Sequence, residues 1–150
     1  MVRGALKNTT GNPTFQPIVK LGTIASPVTV WDGGQVQFNA TAHALLPFKL
    51  DIHLRPDKDN HGDGTLSKLV GFGDINSKVI TATAAQTDDA QGNQTLLLPQ
   101  TAPALGAGFD DSITNVLDFW VGFSASNSAN GIQIWDYAVV DWGLAFPAAQ

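Results

Sequence analysis

Apolar and polar residues alternate along several short stretches of this chain. In residues 47–54, every second residue from Phe48 onward is apolar, and the residues between are Lys49, Asp51 and His53. Residues 34–41 show the same period, with Val36 and Phe38 on the apolar side. A period of two predicts β-strands with one buried and one solvent-facing side.

Turn-forming residues separate these stretches along the whole chain. Asp32-Gly33-Gly34 predicts a hairpin, because glycine adopts a positive φ without steric cost. One helical turn is expected over residues 110–116, and residues 79–85 fit either a strand or a short helix. Further strands are predicted at residues 17–23, 27–31, 69–72, 78–83, 94–98, 117–125 and 131–146, with a loop over 101–108. About eight short strands predict an all-β fold, an antiparallel β-sandwich, jelly roll or barrel.

Composition supports one such domain. The chain has 150 residues, 43% of them hydrophobic, with 15 Gly and 8 Pro but no Cys and no Glu. These values exclude a helical bundle and a disulfide-stapled mini-domain. No apolar run approaches the roughly 18–20 residues that span a bilayer, so we expect no membrane partner. Residues 1–20 lack the apolar stretch of a signal peptide.

The N-terminal residues differ in charge from the rest of the chain. Arg3, Lys7 and Lys20 precede the first acid, Asp32, although the formal net charge is −5. We predict an extended arm over residues 1–16, followed by a single sandwich domain over 17–150. The residues predicted to make contacts from the arm and its junction are Arg3, Lys7, Phe15 and Lys20. A solvated terminus is the alternative, and the cations are too sparse for nucleic-acid binding.

Candidate catalytic groups are few. The chain has no thiol, no Gly-x-Ser-x-Gly elbow and no His-Glu-x-x-His sequence. His53 lies two residues from Asp51 on the polar side of a predicted strand, which suits an acid–base pair or an ordinary solvent-facing surface. We therefore predict no catalytic residue and a protein that is not an enzyme.

One loop has partial calcium-site spacing. Asp57, Asp59 and Asp63 lie at alternate positions around Gly62, as in loops that wrap a hard cation. His61 and Lys68 occupy positions where such loops place acidic or amide ligands. An Asp-rich turn between strands explains the same residues, so the prediction is no cofactor, with calcium as the alternative.

Aromatic residues are the second candidate for binding. The indole rings of Trp31, Trp135 and Trp142 could stack on the C–H face of a sugar. Buried core positions are the alternative, because large aromatics on strands are usually buried. Residues 131–146 are apolar on both faces, which predicts either a central strand or a strand covered by a partner.

Residues 111–146 carry one resemblance to a known family. Val121-Gly122-Phe123-Ser124-Ala125-Ser126 and the last predicted strand resemble the C-terminal strands of legume-type (L-type) lectins. The resemblance implies a β-sandwich, with residues 126–131 at the family's variable sugar-specificity loop. The family's Glu-x-Asp metal strand has no counterpart in a chain without Glu, so no ligand residue is carried over.

The overall composition resembles the capsid decoration (cement) proteins of tailed phages. Low charge, absence of Cys and abundant Thr, Asn, Ala and Gly are what the two have in common. This likeness implies a non-enzymatic virion protein that assembles on a particle, with capsid subunits or further copies of itself as partners. The location that it implies is the virion surface or the extracellular space. The alternative function is a carbohydrate-binding sandwich, free or at a fibre tip.

Overall fold

The computed structural model describes residues 1–11, 13–57, 67–80, 94–99 and 103–140. These residues form two antiparallel β-sheets that pack against each other, which confirms the predicted all-β sandwich. They contain no helix, and so none that is long and apolar enough to cross a membrane. The helical turn expected over 110–116 is wrong, because residues 111–113 form a turn and bend that lead into a strand.

Ten strands are present in the described residues. They are β1 Val2–Asn8, β2 Thr14–Thr23, β3 Ser26–Asp32, β4 Val36–Gln37, β5 His43–Pro56, β6 Leu69–Ser77, β7 Gln94–Leu98, β8 Ala104–Leu105, β9 Val116–Phe123 and β10 Gly131–Tyr137. The predicted strand over 47–54 lies inside β5. The predicted strand over 34–41 shortens to β4, and the predicted loop over 101–108 contains β8.

The strands divide between a six-stranded sheet A and a four-stranded sheet B. Sheet A has the order β10-β1-β5-β6-β7, and β8 pairs with β6 beside β7. In sheet B, β2 is central, with β9 on one edge and β3 and β4 along the other. One edge of sheet A is therefore β10, and one edge of sheet B is β9.

The predicted N-terminal arm is wrong, because β1 lies in the interior of sheet A. It pairs with β5 on one side and β10 on the other, and Val2, Ala5 and Leu6 are buried. Gly4 permits this close packing, since a Cβ there would lie 1.9 Å from the carbonyl oxygen of Gln133. The sandwich therefore begins at the second residue, and not at residue 17.

The predicted hairpin at Asp32-Gly33-Gly34 is also wrong. Both β3 and β4 pair with β2 in the antiparallel sense, so the chain continues past the two glycines without reversing. Gly34 has a φ of 70°, and its N–H donates to the Asp32 side chain. Gly33 donates its N–H to the Pro17 carbonyl at 2.9 Å, which keeps the interrupted strand attached to β2.

The core lies between the sheets and is centred on aromatic residues. Phe15 and Phe38 stack with ring centroids 5.3 Å apart, and Phe38 also contacts Phe123. Trp31 is 1% exposed and packs over two glycines of β6, Gly71 and Gly73. A Cβ at Gly71 would lie 2.4 Å from the indole, so the glycines of β6 leave the space that this ring fills.

Candidate interaction surfaces

The residues assigned to the arm do not form one surface. Arg3 is exposed on β1, and Lys7 donates to the Ser128 carbonyl at 2.8 Å. Phe15 is in the core, and Lys20 lies on sheet B with its Nζ 3.8 Å from the centroid of the Trp120 ring. Lys7, Phe15 and Lys20 each contact their own sandwich, and Arg3 belongs to an interior strand, so the four do not act together as an arm.

The three tryptophans predicted to stack on a sugar have different outcomes. Trp31 is buried in the core, so its predicted ligand role is wrong. Trp135 is 59% exposed on β10 and remains a candidate. Trp142 lies outside the described residues.

Most residues of the predicted calcium site lie outside the described residues. Asp57 is described at the end of β5, whereas Asp59 and Asp63 are not described. The described part of the chain contains no group of three His or carboxylate side chains placed to hold a metal ion.

The possible acid–base pair on β5 has other contacts. Asp51 forms a salt bridge with Lys49, and the His53 ring stacks on Phe72 at 5.0 Å. These two contacts are those of a solvent-facing sheet surface, where cross-strand side-chain pairs stabilise the sheet.

One side of the sandwich is closed by backbone hydrogen bonds. We define the closed side as the segment from Ala104 to Phe109 with the parts of β3 and β6 that it joins. Ala107 donates to Thr29 of sheet B at 3.0 Å, and Gly106 donates to Leu69 of sheet A at 2.8 Å. Phe109 donates to Ser67 at 2.9 Å and inserts its ring into the core. The two sheets are thus joined by main-chain contacts at this side.

Asp110 follows directly after Phe109 at the closed side. Its Oδ1 accepts hydrogen bonds from the Ser112 hydroxyl and, at 2.9 Å, from the Ser112 backbone N–H. Both bonds favour the charged carboxylate, so they lower the pKa of Asp110 below its ordinary value.

The opposite side of the sandwich, along β9 and β10, exposes apolar side chains. We define this open side by six exposed residues with aliphatic or aromatic side chains. They are Leu117, Ile134, Trp135, Tyr137, Val139 and Val140. Five of the six lie within residues 134–140, in β10 and directly after it, and such a concentration of exposed apolar residues is typical of interaction sites.

Strand register shows that part of the open side belongs to the inner face of the sandwich. Tyr137 lies opposite the buried Val2, Ile134 lies opposite Gly4, and Leu117 lies opposite Leu21. Residues directly opposite one another in antiparallel strands share a face of the sheet. Tyr137 is nevertheless 73% exposed. The described residues of the two sheets therefore leave the inner face uncovered here.

β10 also has an irregular register. Asp136 lies opposite Arg3 and Ile134 lies opposite Gly4, so Trp135 forms a β-bulge with no partner on β1. No described strand pairs with the outer edge of β10, which leaves a row of main-chain donors and acceptors. The surface can thus offer both apolar contacts and strand pairing.

Sequence reasoning identified this region through one signal only. The residues 131–146 are apolar on both faces, which predicts a central strand or a strand covered by a partner; β10 lies at an edge of sheet A, so the first alternative is wrong. The participation of Leu117 was missed, because it requires the pairing of β9 with β2. The sequence matches no protein-family model, no curated protein and no solved structure.

Proposed function

We propose that this protein is a non-enzymatic structural subunit of a virion, of the capsid decoration type found in tailed phages. It assembles on the particle by packing the open side against a neighbouring protein subunit. The observation that carries the proposal is the exposed apolar surface of β9 and β10, together with the unpaired edge of β10.

The chemistry of the open side indicates what the partner must present. From Gly131 to Val140 the only charged residue is Asp136, and it lies opposite Arg3 of the same sheet. Interface cores are depleted in charge and enriched in aromatic residues, as this surface is. The partner surface is accordingly apolar and uncharged at its centre.

The edge of β10 adds a second mode of contact. Natural edge strands are usually protected by Lys, Pro, an inward-facing charge or a β-bulge. Residues 131–137 contain neither Lys nor Pro, and the bulge at Trp135 leaves residues 131–134 in regular register. A strand of the partner could add to sheet A here, with main-chain hydrogen bonds giving affinity and side chains giving specificity. Assembly through β10 replaces the predicted role of the N-terminal residues, which β1 uses within its own sheet.

Sedimentation of the native source material tests the proposal. We expect mass spectrometry to find the chain in the particle fraction at a fixed ratio to the capsid protein. Tyr137→Lys should reduce incorporation by about tenfold or more, because a charge then lies at a buried interface. The melting temperature should stay unchanged, since Tyr137 is exposed in the free protein.

Leu105→Lys is the matched control, because Leu105 is an exposed leucine at the closed side. This variant should be incorporated normally. Recovery of the unmodified chain only from the soluble fraction would contradict the structural role. Equal incorporation of both variants would instead show that assembly uses another surface.

A carbohydrate-binding sandwich is the second candidate function. The exposed Trp135 and Tyr137 rings favour it, as does the lectin resemblance, which covers β9, the following loop and β10. A broad panel of immobilised glycans tests it, with tryptophan fluorescence as the second readout. A flat response across the panel would reject this candidate.

A further inference from the structure

A shallow groove crosses the outer face of sheet B, on the side away from the core. It has a volume of about 150 Å³ and is lined by Thr14, Gln16, Gln35, Gly122, Phe123 and Ser124. A cavity of that volume holds a single six-membered ring. Most of the lining is uncharged and polar, with amide and hydroxyl groups.

Gly122 creates the space at the floor of the groove. It lies opposite Gln16 in the pairing of β9 with β2. A Cβ built at this glycine would have no heavy atom of the described chain within 4 Å, so the space above it is open. A side chain at this position would start in the open space of the groove.

Hydrogen bonds hold the polar groups of the groove in place. The Gln16 side-chain amide donates to both carboxylate oxygens of Asp32 at 2.7 Å, and the Gly34 N–H donates to the same carboxylate at 2.8 Å. At the other end, Thr14 donates its N–H to the Ser124 hydroxyl at 2.9 Å. The Gln16 amide and the Ser124 hydroxyl are therefore held in place before any ligand arrives, which lowers the entropy cost of binding.

Trp120 stands beside the groove. It is two residues before Gly122 on the same face of β9, which places the two Cα atoms about 7 Å apart. The ring is 50% exposed, and Lys20 Nζ lies 3.8 Å from its centroid. This cation–π contact restrains the indole against sheet B and occupies one face of the ring, so a ligand in the groove meets the other face or the ring edge.

We propose that this groove binds one neutral hexose unit of a saccharide. Gln16, Gln35 and Ser124 hydrogen-bond the sugar hydroxyls, and the Trp120 ring packs against a C–H face. The Asp32 carboxylate beside Gln16 disfavours anionic ligands such as phosphates and acidic sugars. The assignment rests on the carbohydrate-binding candidate and moves its site from Trp135 to sheet B; it does not depend on assembly on a particle.

Nuclear magnetic resonance titration of the whole chain provides the test. The probes are the methyl glycosides of glucose, galactose and mannose, added in the millimolar range. The four tryptophans give separate indole N–H signals, which single substitutions assign. We expect at least one glycoside to shift the Trp120 signal, and Gly122→Val to weaken that binding by about tenfold or more.

Gly122→Val should fold normally, because the added methyl groups enter open space on a strand that favours β-branched residues. Trp120→Ala should weaken binding in the same way, while Trp135→Ala serves as the matched control and should have no effect. Binding that persists in Gly122→Val but is lost in Trp135→Ala would overturn the groove and leave the carbohydrate function intact. The absence of any shift with all three glycosides would reject both.

Discussion

The closed and open sides of this sandwich differ in how far the inner faces of the two sheets are covered. Two stacked sheets expose their inner faces wherever they do not meet at an edge. At the closed side, Gly106 and Ala107 donate to backbone carbonyls of the two sheets, and Phe109 covers the core. At the open side, Ile134 and Tyr137 occupy inner-face register positions but remain exposed.

The difference separates the residues that stabilise the fold from those available for association. Removing a group at the closed side affects the intramolecular core, so stability should fall. Removing a group at the open side changes a surface that the described residues leave uncovered, so stability should change little. A partner that covers the open side would add to stability by mass action.

The largest expected effect comes from comparing two tryptophans. Trp31→Ala should lower the free energy of unfolding by about 3–5 kcal/mol, because it leaves a large cavity beside Gly71 and Gly73. Trp135→Ala should change it by no more than about 0.5 kcal/mol, as for other exposed positions. Urea denaturation of the free protein measures both. A similar loss in the two variants would show that the open side is covered within the chain.

Two glycine substitutions compare how tightly the backbone is packed at the closed side and on β9. A Cβ at Gly106 would lie 2.1 Å from the Val30 carbonyl oxygen, so Gly106→Ala should destabilise by about 1–3 kcal/mol. Gly122→Ala, on β9, meets open space and should stabilise the strand by about 0.5 kcal/mol. Thermal unfolding followed by circular dichroism measures both changes. Equal melting temperatures would contradict the tight contact between Gly106 and β3.

The smallest expected effect is a pH dependence of the closed side. The pKa of Asp110 is lower in the folded protein than in the unfolded chain. Its contribution to the free energy of unfolding is therefore present above the unfolded pKa and is lost as pH falls through the folded pKa. Asp110→Ala should therefore be less stable than the original protein at neutral pH and equally stable in strong acid.

Melting temperatures over a series of acidic buffers provide the measurement. Ser112→Ala is the control, since it removes the hydroxyl donor and should lose part of the same pH dependence. A stability difference between Asp110→Ala and the original protein that is constant over the series would exclude this linkage.

The fold class could be predicted because strand periodicity is a local property. Residues 47–54 alternate between core and solvent in the sequence, and Phe48 and Leu50 are buried in β5. β2, β3 and β7 were found in the same way, from short apolar runs between turn residues. Burial of one face of a sheet is sufficient to impose this pattern.

Pairing could not be predicted, since it depends on distant residues. β1 contains Gly4 and Ala5 in place of large apolar residues, so its sequence did not indicate an interior strand; those small residues are what permit close contact with β5 and β10. The segment Asp32-Gly33-Gly34 does contain a glycine with positive φ, Gly34, but the chain does not reverse there. Its two flanking strands share β2 as a partner, which no local pattern encodes.

The candidate site was only partly predictable for the same reason. Sequence alone identified the apolar character of the last predicted strand and the residue Trp135. It could not show that Trp31 is in the core or that Gln16 faces Gly122 across two strands. Both facts depend on strand order.

The pairing of β1 with β10 also determines the timing of folding. Val2 lies opposite Tyr137, and the Met1 carbonyl accepts a hydrogen bond from Ala138 at 2.9 Å. Contacts so far apart in sequence slow folding, because a long loop must close before they form. During synthesis, the pairing of β1 with β10 cannot form until residues 131–137 have been made. Unpaired strand edges favour association between incompletely folded chains, so we expect aggregation to compete with folding during this interval.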